Sequence, residues 1–263
     1  MNLVIISIVI FAIAVLMTMT GRGGGNFYVL ILVVAGQSMH QAATSGQFIL
    51  MLTACAGMFI FHKNKLIDWK LALVIDPATD IMAFVGGYFS DYASGISLKL
   101  ILAGLLVIAG FFMLINVKEK PILHKKKFGY WHRNFQGQEY VVNLWLTIPI
   151  TALAGLAAGA VGISGGSFKI PLMVLFCGVP MGIAVGTSSA MVAATALMGF
   201  IGHTSQGHFD PKWAVPLACL AVLGGLLGGK FAIKTKPAKL KKIFAYTTLA
   251  AALFMGFNAF FSK

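Results

Sequence analysis

Residues 21–27 read GRGGGNF and residues 162–171 read GISGGSFKIP. Each glycine cluster opens a short apolar run, 26–36 in the first case and 168–178 in the second. Runs of roughly 10–14 apolar residues are too short to cross a bilayer and fit re-entrant or broken helices. Eight longer runs surround them, at 3–19, 41–61, 71–90, 96–116, 143–161, 183–203, 213–232 and 243–261. Of the 263 residues, 59% are hydrophobic and 10% charged, with a mean hydropathy of +0.88. That composition excludes a water-soluble globule and a disordered chain. The expected fold is an all-α polytopic membrane protein of about eight long helices and two short half-helices. MNLVIISIVI at the start has neither a basic flank nor a small-residue cleavage site, so the first run is expected to be retained.

The recurring glycine cluster points to an internal duplication. A shift of 141 lays Gly21, Gly24, Gly25 and Phe27 on Gly162, Gly165, Gly166 and Phe168, and a shift of 142 then holds without a gap from residue 36 to 90. Over those 55 positions 12 residues are identical, among them Gly36, Thr53, Gly57, Asp68, Gly86 and Gly87. Coincident glycines are harder to attribute to composition than coincident Ala or Leu. The chain divides into a first transmembrane repeat, 1–116, a basic linker, 117–142, and a second repeat, 143–263.

Charge placement orients the two copies, because Lys and Arg accumulate in cytoplasmic loops. If each glycine-rich segment is a hairpin that enters and leaves by one face, loops 62–70, 117–142 and 230–242 share a side and hold fifteen basic residues. Lys99, Lys212 and Lys263 alone fall opposite, with Arg22 and Lys169 inside the hairpins. The asymmetry favours inverted repeats with a cytoplasmic linker and both termini outside. Runs 3–19 and 143–161 are long for half-membrane arms and must tilt or protrude. Within the linker, Phe128, Tyr130, Trp131, Phe135 and Tyr140 accompany the basic residues. This suits a headgroup-level segment on an anionic leaflet; a regulatory or partner-binding loop is the alternative, and nucleic acid is not expected as a partner.

Irregular backbone at membrane depth is tolerated where it is buried or lines a wet cavity, and paired breaks in corresponding positions mark a transport site. The short helices begin just after their glycines, so their unpaired N–H groups and positive dipole ends face the breaks and favour an anion. Gly23, Gly24, Gly25, Ser164, Gly165 and Gly166 supply close backbone approach, while Asn26 and Ser167 sit at equivalent helix starts as favoured capping residues. On the plainer reading these side chains only cap and the glycines only pack. Arg22 would hold an oxyanion in a bidentate fork, pair with an aspartate or reach the interface; Lys169 would contact the ligand or snorkel. Asp76 and Asp80, one turn apart, are candidates for carrying a coupling proton; alternatively Asp76 offsets Arg22 or lies near the interface. Their counterparts are Ala218 and Val222. Thr187 and Ser188, with Ser189 and the counterpart Ser45-Gly46-Gln47, would line the path or bond between helices. Cys55, Cys177 and Cys219 lie in apolar runs and read as packing residues, and no histidine has metal-ligand spacing. No P-loop occurs, and neither a cofactor nor an enzymatic activity is expected.

GRGGGNF and GISGGSFKIP, with AVGTSSA at 184–190, resemble the TauE/SafE family of membrane permeases, the family associated with sulfite export. The similarity covers essentially the whole chain, although the first copy has Arg22 and Asn26 where the second has Ile163 and Ser167. The resemblance implies a bacterial inner-membrane carrier that exports small sulfur-containing anions such as sulfite, thiosulfate or organosulfonates. Asp76 and Asp80 are not among the family's motif positions. An anion channel, an uptake permease for another small organic anion, an intramembrane enzyme using the aspartates and a non-transporting sensor are the competing readings.

Overall fold

The computed structural model describes residues 3–92, 128–163 and 165–261, and between them also 94, 97, 100, 103, 104, 107, 108 and 111. The run expected at 96–116 lies largely outside the described residues, as do 117–127 of the linker and Ser164. Helix α1 (Leu3–Met19) contains no charged residue and stops where Gly21, Gly23 and Gly24 take φ of +73°, +69° and +100°. Residues with a Cβ avoid that region, so the glycines let the chain reverse within a few residues and start α2 (Gly25–Val34). After α2 come α3 (Met39–Lys63), opened by a capping box between Ser38 and Gln41, and α4 (Trp69–Tyr88), capped by Asp68. A short 3-10 turn follows at Ser90–Tyr92.

The second half repeats this order. Helix α5 (Leu144–Val161) ends at Gly162, φ +78°; α6 (Gly166–Pro171) passes into a π-helical turn, Leu172–Phe176, that begins just after Pro171, where the backbone donor is missing. Then come α7 (Met181–Thr204), α8 (Pro211–Lys234), capped by Asp210, and α9 (Pro237–Phe261). Among the described residues, α3, α4, α5, α7 and α8 are long and apolar enough to cross a bilayer.

Packing between the halves is reciprocal. Helix α1 lies along α8 and α5 along α4, while α3 meets α7 at the centre. A Cβ on Gly86 would strike the carbonyl of Leu156, and one on the equivalent Gly228 would strike that of Val15; small residues are what let membrane helices approach this closely. At the centre Gly57 faces Ser189 and its equivalent Gly199 faces Gln47, so α3 and α7 run antiparallel. Gly21 abuts Val185 and Gly162 abuts Ala43, each in the second turn of a helix from the other half. Helices α1 and α5 therefore run past mid-depth before the chain reverses, which accommodates their length.

The linker holds an element that the apolar pattern does not announce. Strands β1 (Tyr130–Phe135) and β2 (Gln138–Asn143) pair antiparallel, Tyr130 opposite Asn143. Gln136 and Gly137, at φ +54° and +74°, make the two-residue turn that suits the twist of a hairpin. The hairpin is anchored rather than free: Arg133 and Tyr140 bond to Asp68, Gln136 donates to the carbonyl of Lys65, and the N–H of Val141 donates to the carbonyl of Cys177.

Candidate functional site

The two breaks meet. Asn26 Nδ2 donates to Ser167 Oγ at 3.1 Å, and both residues are buried. The capping positions are Gly24 and Gly165, neither with a side-chain cap bond. This corrects the expectation that Asn26 and Ser167 cap: they lie two residues further in and join the short helices across the repeats. The N–H groups of Gly25, Asn26, Gly166 and Ser167 belong to first turns, which have no intrahelical acceptors. Asn26 Oδ1 has no partner among the described residues, and neither have Gln47 Oε1, whose amide reaches the second break, and the Thr79 hydroxyl, whose methyl lies beside Gly165. Buried polar atoms left unpaired are costly, and so mark a place where a polar guest gains.

The polar openings of α3 and α7 hold the breaks in place. Ser188 Oγ donates to the carbonyl of Gly21 at 3.0 Å, and Gln47 Nε2 donates to that of Ile163 at 3.4 Å. Thr187 points elsewhere: its Oγ1 accepts the N–H of Asp68 at 3.0 Å, and Ser189 donates to the carbonyl of Ala54 at 3.3 Å. Gly23 packs against Leu50, and Gly166 lies beside Ser188 and the carbonyl of Gly21.

Both intramembrane cations are buried, and neither reaches water. Lys169 is 0% exposed, so it does not snorkel; its ammonium donates to Asp76 and, at 2.7 Å, to Thr195 Oγ1. Asp76 thus offsets Lys169 rather than Arg22. Asp80 completes the group, its Oδ1 at 2.8 Å from Thr195 Oγ1. Arg22, 1% exposed, donates through Nε to Thr20 at 3.2 Å and through its terminal nitrogens to Thr247 and Thr248 of α9; it ties α9 to the first break. Thr195 and Thr20 were not marked out by their residue type, since threonines are scattered through the apolar runs. The identity of Thr53 and Thr195 under the repeat shift was the available signal.

At the start of α3 His40 stacks on His208, and both reach Asp91. No group of three side chains suited to a metal occurs among the described residues. At the hairpin, burial alone would raise Asp68, but bonds from Arg133, Tyr140 and the N–H of Leu71, with the Arg133 charge, hold it below the ordinary carboxylate value.

Residues 6–255 match the family described as sulfite exporter TauE/SafE. A probable membrane transporter protein, YunE, of Bacillus subtilis (strain 168) is 26% identical over 187 residues, 68% of this chain and 67% of its own. YdhB of the same organism, also a probable membrane transporter protein, is 22% identical over 258 residues, 96% of this chain and 100% of its own. A probable membrane transporter protein of Xylella fastidiosa (strain 9a5c) is 23% identical over 238 residues, 89% and 87% of the two chains. No solved structure matches the chain.

Proposed function

The chain belongs to the TauE/SafE family of multi-pass membrane transporters, and on that footing we propose that it is a secondary carrier exporting small sulfur-containing oxyanions by alternating access around the meeting point of its two broken helices. The observation that carries the site is the Asn26–Ser167 contact, where two helix starts meet and Asn26 Oδ1 is left without a partner among the described residues. Gly23, Gly24, Gly25, Gly165 and Gly166 provide close backbone approach; Asn26, Ser167 and Ser188 supply neutral donors. Such a site favours an anion through dipoles and N–H groups. Thr187 and Arg22 act at its margins, holding the α4 start and α9. The sulfur assignment is supported by the family's description alone.

Alternating access requires two similar faces, and we infer that 1–116 and 143–263 are inverted repeats joined by a cytoplasmic linker in the bacterial inner membrane. The antiparallel crossing of α3 and α7 and the side-by-side course of α1 with α8 and α5 with α4 support the inversion, as do the fifteen basic residues on the linker side. Proteoliposomes holding the purified protein are expected to take up one of labelled sulfite, thiosulfate or methanesulfonate saturably, and to exchange it for unlabelled anion inside. Unsaturable flux without exchange would point to a channel, and uptake of none of the three would remove the sulfur assignment.

A further inference from the structure

Lys169 and Tyr28 stand at equivalent places in the two repeats, one turn inside the short helices. Each folds back over the equivalent glycine of its own break. A Cβ on Gly24 would come within 2.8 Å of Tyr28 Cζ, and one on Gly165 within 3.1 Å of Lys169 Cε and 3.5 Å of Nζ. Each head group also reaches the equivalent threonine: Tyr28 donates to Thr53 at 3.4 Å and Lys169 to Thr195 at 2.7 Å. There the symmetry ends. Beyond Thr195 stand Asp76 and Asp80, whose counterparts Ala218 and Val222 are apolar. One break thus presents a neutral phenol and the other an ammonium whose charge is already taken.

A buried ammonium needs a counter-charge, and a purely structural one would need a single carboxylate. Here two carboxylates share it through Thr195, and a cavity of about 120 Å³ between α4 and α7, lined by Trp69, Asp76, Asp80 and Met191, reaches both. At its near end Trp69 is 42% exposed, which places the cavity within reach of the α4 entrance.

We infer that Lys169 is a substrate-anion ligand held in reserve by Asp76, and that the exchange of Asp76 for the anion takes up one proton on that carboxylate. The inference rests on the transport reading above and deepens it to the coupling ion. With a proton on Asp80, the resting group Lys169⁺, Asp76⁻ and Asp80 is neutral. When a monoanion at the break draws Lys169 away, Asp76 is left buried without a counter-charge, which is strongly unfavourable. A proton from water, entering by the cavity, binds its Oδ1 and restores neutrality. Anion and proton then leave together on the other side, and Lys169 returns to Asp76. Among the described residues no other charged group intervenes. Helix α5 carries no ionisable side chain between 144 and 161, and Lys70 of α4 is exposed. His203 of α7 is engaged by Ser90 and the carbonyl of Gly159, and Asp91 faces His40 and His208. Arg22 is held by Thr20 and α9.

The test uses proteoliposomes of the full chain with a trapped pH dye, and thiosulfate and methanesulfonate as probes, because neither changes charge between about pH 5 and 8, where shifted carboxylates titrate. Wild type is expected to carry protons with either anion and to run faster at acid pH. Asp76→Asn with Asp80→Asn, which leaves no carboxylate there to take the proton, is expected to lose proton flux and pH dependence. Lys169→Met should raise the half-saturating anion concentration at least about tenfold, the equivalent of one lost strong contact. Because Lys169→Met strands a carboxylate, the neutral double variant Lys169→Met with Asp76→Asn provides the folded control and should show the same loss of affinity. Wild-type affinity in Lys169→Met with Asp76→Asn, or undiminished proton flux in Asp76→Asn with Asp80→Asn, would overturn the inference while leaving the transport reading intact. Wild type that exchanges neither anion and takes up no sulfite would overturn both.

Discussion

Gly162 and Gly36 both hold left-handed backbone, at φ +78° and +100°, yet their surroundings differ. A Cβ on Gly162 would sit on Ala43, whereas nothing lies within 4 Å of one on Gly36. Gly36→Ala therefore meets only the conformational cost of about 1–2 kcal/mol. Gly162→Ala adds a backbone collision at the second break and is expected to cost about 3 kcal/mol or more. Thermal unfolding in detergent distinguishes the two; equal shifts would mean that the second break is not packed against α3 as described. The same contrast bears on what a sequence reveals about single residues. Glycine clusters announce that the chain turns, because few other residues allow it. The partners of Lys169 are a different matter: Asp76 lies 93 residues away in the chain, and residue types alone suggested ligand contact or snorkelling rather than this pairing.

At the scale of elements, helices were legible from apolar run length, and the runs 3–19 and 143–161 correspond to α1 and α5 almost residue for residue. The hairpin was not, because its strands, YWHRNF and QEYVVN, mix aromatic, polar and charged residues whose value lies in what they touch, not in a periodic apolar face. Its hub is Asp68, which caps α4 through the N–H groups of Lys70 and Leu71 while accepting from Arg133 and Tyr140. The repeat-equivalent Asp210 caps α8 on the exposed side, at Lys212. Since the folded protein holds Asp68 below its ordinary value, the stability it contributes is complete above the unfolded carboxylate pKa of about 4. That contribution is lost as pH falls through the lower folded value. Hydrogen exchange of β1 and β2 is accordingly expected to stay slow from neutral pH down to about pH 5 and to quicken in Arg133→Ala at every pH. Unchanged protection in Arg133→Ala would show that the hairpin is held by its other contacts.

Over the whole molecule, the proposed duplication would account for both the reciprocal glycine contacts and the meeting of the breaks, and the proposed inversion would give each face the same means of opening. Topology is open to direct measurement. In a chain freed of Cys55, Cys177 and Cys219, a cysteine at Asn134 in the hairpin is expected to react only from the cytoplasmic side, and one at Ser205 only from outside. Labelling of both from one side would contradict the inversion. The central claim, however, is that substrate is met at the paired breaks and is reached alternately from each side. Ser167 is 0% exposed here, so Ser167→Cys in the same cysteine-free chain reports only on states in which the site opens. Its rate of modification by a membrane-impermeant thiol reagent, applied to each side with and without transported anion, is the most direct measurement. The account predicts reaction from both sides, slowed several-fold by the anion in each case; reaction from neither side, or at rates the anion leaves unchanged while uptake proceeds, would contradict it.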